Sequence, residues 1–129
     1  MPFLRVHVGE DVPTGVREEL ARTLREAIVA GLGVRNEVGH VLILPTPASG
    51  RRAGPGRRQD FVFGELLMYE GRPPQVKQAL LARLHAEIAR LTGVPERDIV
   101  LVIVEMPAVN WFGGLPPGAP DVRPKGVAP

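Results

Sequence analysis

Apolar residues recur at every fourth position in Val16, Leu20, Leu24 and Ile28, with Arg and Glu between them, and again in Val76, Leu80, Leu84 and Ile88. A spacing of i, i+4, i+8 and i+12 marks one buried stripe on a helix whose other side is wet. Two helices are therefore predicted, over 13–31 and 73–91. Pro13 and Pro73 suit a first turn, and Gly33 and Gly93 stand just past the ends, where a left-handed residue stops a helix. Four shorter apolar runs, at 3–8, 41–44, 63–68 and 101–104, read as strands. Two of them, Val41-Leu42-Ile43-Leu44 and Leu101-Val102-Ile103-Val104, are unbroken, as in strands covered on both faces.

Sliding the chain along itself by sixty positions superposes these patterns. The helix stripes coincide, Gly33-Val34 falls on Gly93-Val94, and the run at 41–44 falls on that at 101–104. The opening strand at 3–8 falls on 63–68. Each half reads strand, helix, strand, a unit whose crossover is nearly always right-handed. The expected fold is α+β (α/β): a tandem βαβ repeat forming a four-stranded sheet with two helices on one face. Repeat one takes 2–45, a Gly/Pro-rich connector 46–60, repeat two 61–114 and a Pro-rich tail 115–129, all within one domain, 1–129. The helices cover one face of such a sheet only. The other face is too apolar for water, and the tail is poor in apolar bulk, so a homo-oligomer is expected, most simply a closed ring such as a trimer.

Composition narrows the chemistry. The chain has 129 residues and no cysteine, which excludes disulfides, thiolate metal sites and cysteine nucleophiles. Its three histidines form no His-x-x-x-His pair and meet no carboxylate cluster, so no metal site is expected. The isoelectric point near 9.7 suggests nucleic acid, yet the formal net charge is only +2. Arg51, Arg52, Arg57 and Arg58 cluster in the connector without interleaved aromatics, which reads as a solvated loop and not a nucleic-acid surface. No apolar run approaches the ~20 residues of a membrane span and no leader pattern opens the chain, so a cytoplasmic location is expected.

Pro2 directly follows the initiator methionine and opens the first strand. Removal of Met1, which a small second residue permits, would leave a secondary amine whose pKa burial can lower into the range of a general base near pH 7. Two further passages bear on it. One is Tyr69-Glu70-Gly71-Arg72 ahead of the second helix, with Lys77 and Leu80 following; the other is Val104-Glu105-Met106-Pro107 running into Asn110-Trp111-Phe112-Gly113-Gly114. With the repeat and the terminal proline, these resemble the tautomerase superfamily, and in length its fused two-repeat members, among them the cis-3-chloroacrylic acid dehalogenase and malonate semialdehyde decarboxylase groups. The resemblance covers Pro2 to about Gly114.

The resemblance implies an enzyme without a cofactor that moves a proton between the enol and keto forms of small 2-oxo acids. Pro2 would be the acid/base, and Arg72 would anchor an anionic carboxylate through paired N–H bonds. Trp111 would be an apolar wall, Tyr69 a hydrogen-bond donor, and His40 a polar group where single-repeat members carry a second arginine. Departures weigh against water chemistry. Val38 stands where decarboxylase-like members place an acid, and the dehalogenase-like histidine, tyrosine and tail glutamate have no counterparts in Ile28-Val29, the run 99–104 or the tail. The alternatives are a hydratase/decarboxylase or weak dehalogenase on three-carbon acids such as malonate semialdehyde or 3-haloacrylates, and, in another class, a non-catalytic oligomeric binding protein. Because residue sixty further on is Val62, inside the chain, one amine site per chain is expected.

Overall fold

The computed structural model describes residues 1–113. The elements run β1 (Phe3–Gly9), α1 (Thr14–Leu32), β2 (His40–Thr46), β3 (Val62–Tyr69), α2 (Pro74–Thr92) and β4 (Ile99–Met106), with short 3-10 turns at Ala48–Gly50, Glu96–Asp98 and Ala108–Asn110. The helices begin and end one residue later than the apolar stripe suggests, and the strands extend past the apolar runs. The sixty-residue offset holds to the residue for both helices and for the 3-10 turns at 48–50 and 108–110. Gly33 and Gly93 close the helices in the left-handed region, with φ of 63° and 75°. The tail from 115 onward lies outside the described residues.

The strand order is β2-β1-β3-β4. Each βαβ unit pairs its own strands in parallel, Phe3 beside His40 and Phe63 beside Val100, and the two units join along an antiparallel β1–β3 seam. Arg5 faces Glu65 across that seam, and these two positions are themselves sixty apart. A local twofold axis thus passes between them. Two identical side chains would meet there in a symmetric pair of single repeats, whereas the fused chain can place opposite charges: Arg5 Nε donates to Glu65 Oε1 at 3.1 Å, and His7 Nε2 lies 3.4 Å from the same oxygen. The Arg5 hydrogen bond, more than any other influence, holds the Glu65 carboxyl below its usual range.

The core fills the layer between sheet and helices. Leu4, Val6, Val8, Val62, Leu66 and Met68 meet Leu20, Leu24, Ile28, Leu80, Leu84 and Ile88, all at most 2% exposed. Truncating one such leucine to alanine costs about 2–5 kcal/mol. The sheet's other face is bare in the single chain: Leu42, Val100, Val102 and Val104 are 37–46% exposed around the Arg5–Glu65–His7 cluster.

The connector is more ordered than a solvated loop of arginines. The Arg51 guanidinium donates to the carbonyls of Gln59 and Phe61 and lies over the Phe61 ring at 4.1 Å. Arg57 reaches the Arg97 carbonyl at 2.8 Å, and the Arg58 backbone N–H donates to the buried Asp98 carboxylate at 3.2 Å. A planar guanidinium can gather carbonyls that a Gly/Pro-rich backbone leaves unpaired.

Candidate active site

One end of the sheet collects the residues singled out by chemistry. Phe3 opposes Leu67, so the antiparallel register carries Pro2 beside the Met68–Tyr69 end of β3. On its other side, the parallel register places the start of β2 next to Pro2, and the His40 N–H donates to the Pro2 carbonyl at 3.1 Å. Tyr69 pairs with Met106 at the end of β4, and the Glu70 N–H donates to the Met106 carbonyl at 3.0 Å. Arg72 follows three residues after Tyr69, just before α2. Pro2, His40, Tyr69 and Arg72 thus share one end because β1 starts where β3 ends.

Their surroundings differ. Pro2 is buried on the helix side, facing the loop that leads into β2. A Cβ on Gly39 would lie 3.7 Å from Val29 and 3.9 Å from Pro2, and the Gly39 φ of 96° also disfavours a side chain. Arg25 of α1 holds this loop in place, its Nε donating to the Gly39 carbonyl at 3.0 Å and its Nη1 to Asn36 Oδ1 at 3.1 Å. His40 is exposed and its ring meets Phe3 at 5.5 Å, tilted by 48°. Tyr69 is 2% exposed. Trp111 is half-buried after the turn at Ala108–Asn110, and its backbone N–H donates to the Ala108 carbonyl at 3.1 Å.

Two features bear on electrostatics. The amino terminus of the unprocessed chain, on Met1, has its pKa pushed below the ordinary amine value by burial. Arg72 is only 7% exposed, and its two terminal nitrogens, both buried, have no hydrogen-bond partner among the described residues. Burial lowers the Arg72 pKa, and the charge of Glu105 offsets part of that. A buried guanidinium without a partner is costly, and an anion that supplies two oxygens removes the cost. Among the described residues no group of His, Asp and Glu could hold a metal ion.

The far end of the sheet is built differently. The sixty-residue counterparts of Tyr69, Arg72 and Trp111 are Gly9, Val12 and Arg51, and Val62 stands in place of Pro2. A cavity of about 310 Å³ there is lined by Gly9, Glu10, Asp11, Arg51, Gln59 and Asp60 among others, and its arginine is already bound to backbone carbonyls.

The family model described as "Tautomerase enzyme" matches residues 40–113, more than half of the chain. The chain belongs to the tautomerase family. The matched span takes in His40, Tyr69, Arg72 and Trp111, and Pro2 lies ahead of it. Among solved structures, a native fused 4-OT is 25% identical, with a TM-score of 0.77 over 87% of this chain and 92% of that one. The FG41 malonate semialdehyde decarboxylase, inhibited by 3-bromopropiolate, is 22% identical, with a TM-score of 0.73 over 88% and 89%. A macrophage migration inhibitory factor-like protein from Entamoeba histolytica is 15% identical, with a TM-score of 0.75 over 86% and 93%. No curated protein sequence matches. Together with the family match, these place the chain with the fused-repeat tautomerases, and the two less similar structures speak for the fold alone. No helix among the described residues is long and apolar enough to cross a membrane.

Three residues at this end carried no role in the sequence reading: Arg25, Lys77 and Glu105. Lys77 and Glu105 stand inside the two passages that carry the family resemblance, but their contact, Lys77 Nζ to Glu105 Oε1 at 2.8 Å, joins positions that sequence spacing leaves unrelated. Arg25 falls on the polar side of the first helix, and nothing in its periodicity distinguishes it from Arg22.

Proposed function

We propose that the chain is a cofactor-independent tautomerase that interconverts the enol and keto forms of small 2-oxo acids, with Pro2 as the general acid/base once Met1 is removed. The observation that carries this reading is the buried Arg72 guanidinium, whose terminal nitrogens have no hydrogen-bond partner among the described residues, at the same sheet end as a proline that can bear a free amine. The substrate carboxylate would pair with Arg72. Neutral Pro2 would take the enol O–H proton while electrons move to form the C=O bond, then return a proton to C3, so that acid and base are one group. Burial favours the neutral amine, as it does for the Met1 terminus of the unprocessed chain. Trp111 would wall the pocket, and Tyr69 and His40 would contribute polar contacts at its rim. Val38 in place of an acid leaves proton transfer better supported than water activation.

A ketonisation assay followed by absorbance tests this, with phenylenolpyruvate and 2-hydroxymuconate beside malonate semialdehyde and 3-haloacrylates. Turnover of the enols is expected in protein whose intact mass lacks Met1. Faster turnover of the three-carbon acids replaces the reading with a hydratase, decarboxylase or dehalogenase, and no turnover of any leaves a binding protein. The pH profile has a definite sign. The protonated amine cannot accept a proton, so kcat/KM should rise with pH through the Pro2 pKa. That midpoint should lie below that of a solvent-exposed amino-terminal proline, because Pro2 is buried and burial disfavours the cation.

We further infer that the chain assembles as a homotrimer through the bare sheet face carrying Leu42, Val100, Val102 and Val104. Two fused 4-OT proteins of this fold are described as trimers, one symmetric and one asymmetric. Light scattering should return three times the 14.0 kDa chain mass, and Val102→Glu should lower it.

A further inference from the structure

Among the described residues, Glu105 is the acid whose charge favours the Arg72 cation, yet it makes no hydrogen bond to the terminal nitrogens of the guanidinium. It lies on β4 in register with Met68, one residue before the strand ends, and its Oε1 is held instead by Lys77 Nζ at 2.8 Å from the first turns of α2. Both side chains are about a quarter exposed. A carboxylate substrate and the Glu105 side chain are the same chemical group, so whichever reaches Arg72 excludes the other. From this geometry we infer that Lys77 is a positioning residue that holds Glu105 off Arg72 and so keeps the anion seat open to an incoming carboxylate.

The two repeats supply a comparison within one molecule. The counterparts of Arg72, Lys77 and Glu105 are Val12, Arg17 and Pro45. Where no buried guanidinium needs a vacancy, no acid stands on the strand, and Arg17 Nη2 donates to Thr14 Oγ1 at 2.9 Å within its own helix. Of these two equivalent helix cations, Lys77 is tied across to the sheet and Arg17 to its own helix. This inference rests on the reading of Arg72 as a carboxylate anchor.

The experiment compares Lys77→Met, Lys77→Arg, Glu105→Gln, the Lys77→Met/Glu105→Gln double variant and Arg72→Met. Each is measured by calorimetric titration with phenylpyruvate and, in parallel, by kcat and KM for phenylenolpyruvate. Lys77→Met should weaken phenylpyruvate binding about tenfold and raise KM by a similar factor with kcat nearly unchanged, since a freed Glu105 that occupies about nine-tenths of the seats lowers the apparent affinity by that fraction. Lys77→Arg should stay near the parent, and the double variant should recover it. Unchanged binding in Lys77→Met, or a double variant as weak as Lys77→Met, overturns the inference; Lys77→Gln gives the same comparison if the Met variant folds poorly by circular dichroism. Arg72→Met separates the two failures. If it binds phenylpyruvate as the parent does, the anchor reading falls and this inference with it; if it binds weakly while Lys77→Met does not, only the role of Lys77 falls.

Discussion

A form of the protein that retains Met1 should lose turnover of phenylenolpyruvate by about 10²–10⁴-fold, the usual contribution of a general acid/base, because the nitrogen of Pro2 is then an amide that cannot accept a proton. Pro2→Ala should fall by less, on the order of 10²-fold, since a primary amine remains but loses the ring that fixes its direction. Both forms should fold as the parent does. Pro2 lies ahead of the first strand, and the seam from Phe3 to His7 does not depend on its side chain. Circular dichroism and stopped absorbance assays on the same preparations decide the matter, and equal turnover in all three forms removes Pro2 from the mechanism.

Arg72→Met should lower kcat/KM by about 10²-fold, mostly through KM, because two charge-assisted hydrogen bonds to a carboxylate are lost while the side-chain volume is kept. Its effect on stability separates a binding arginine from a structural one. The terminal nitrogens of Arg72 are buried without a hydrogen-bond partner among the described residues, so their removal should leave the melting temperature unchanged or higher. A structural arginine would leave broken contacts and a lower one. A melting curve and a Michaelis plot check the two halves of this expectation, and an unchanged KM reassigns the anchor.

The two results bear on each other because the proposed base and the proposed anchor come from different repeats. Pro2 opens the first unit and Arg72 leads into the second helix, and the antiparallel seam brings them to one end. The same seam brings Val12 and Val62 to the other end, where the connector arginine Arg51 is already bound to backbone carbonyls. The two ends of the repeated frame thus differ in chemistry, as do Arg5 and Glu65, which face each other at the local axis.

The sequence by itself determined the elements and their pairing within each unit. The four-residue stripe, the glycines after each helix and the sixty-residue offset are local or repetitive signals, and helix periodicity depends only on neighbours along the chain. The passages around Arg72 and Trp111 were legible for the same reason, as contiguous residues. What those residues meet is set by how the strands and helices come together in space. That Arg72 is buried without a partner among the described residues, that Arg25 holds the loop beside Pro2 and that Lys77 holds Glu105 follow from strand register and from the packing of each helix on its own unit. The last two contacts join residues 14 and 28 positions apart within one repeat, and their partners are chosen by register and burial, which no periodicity along the chain encodes.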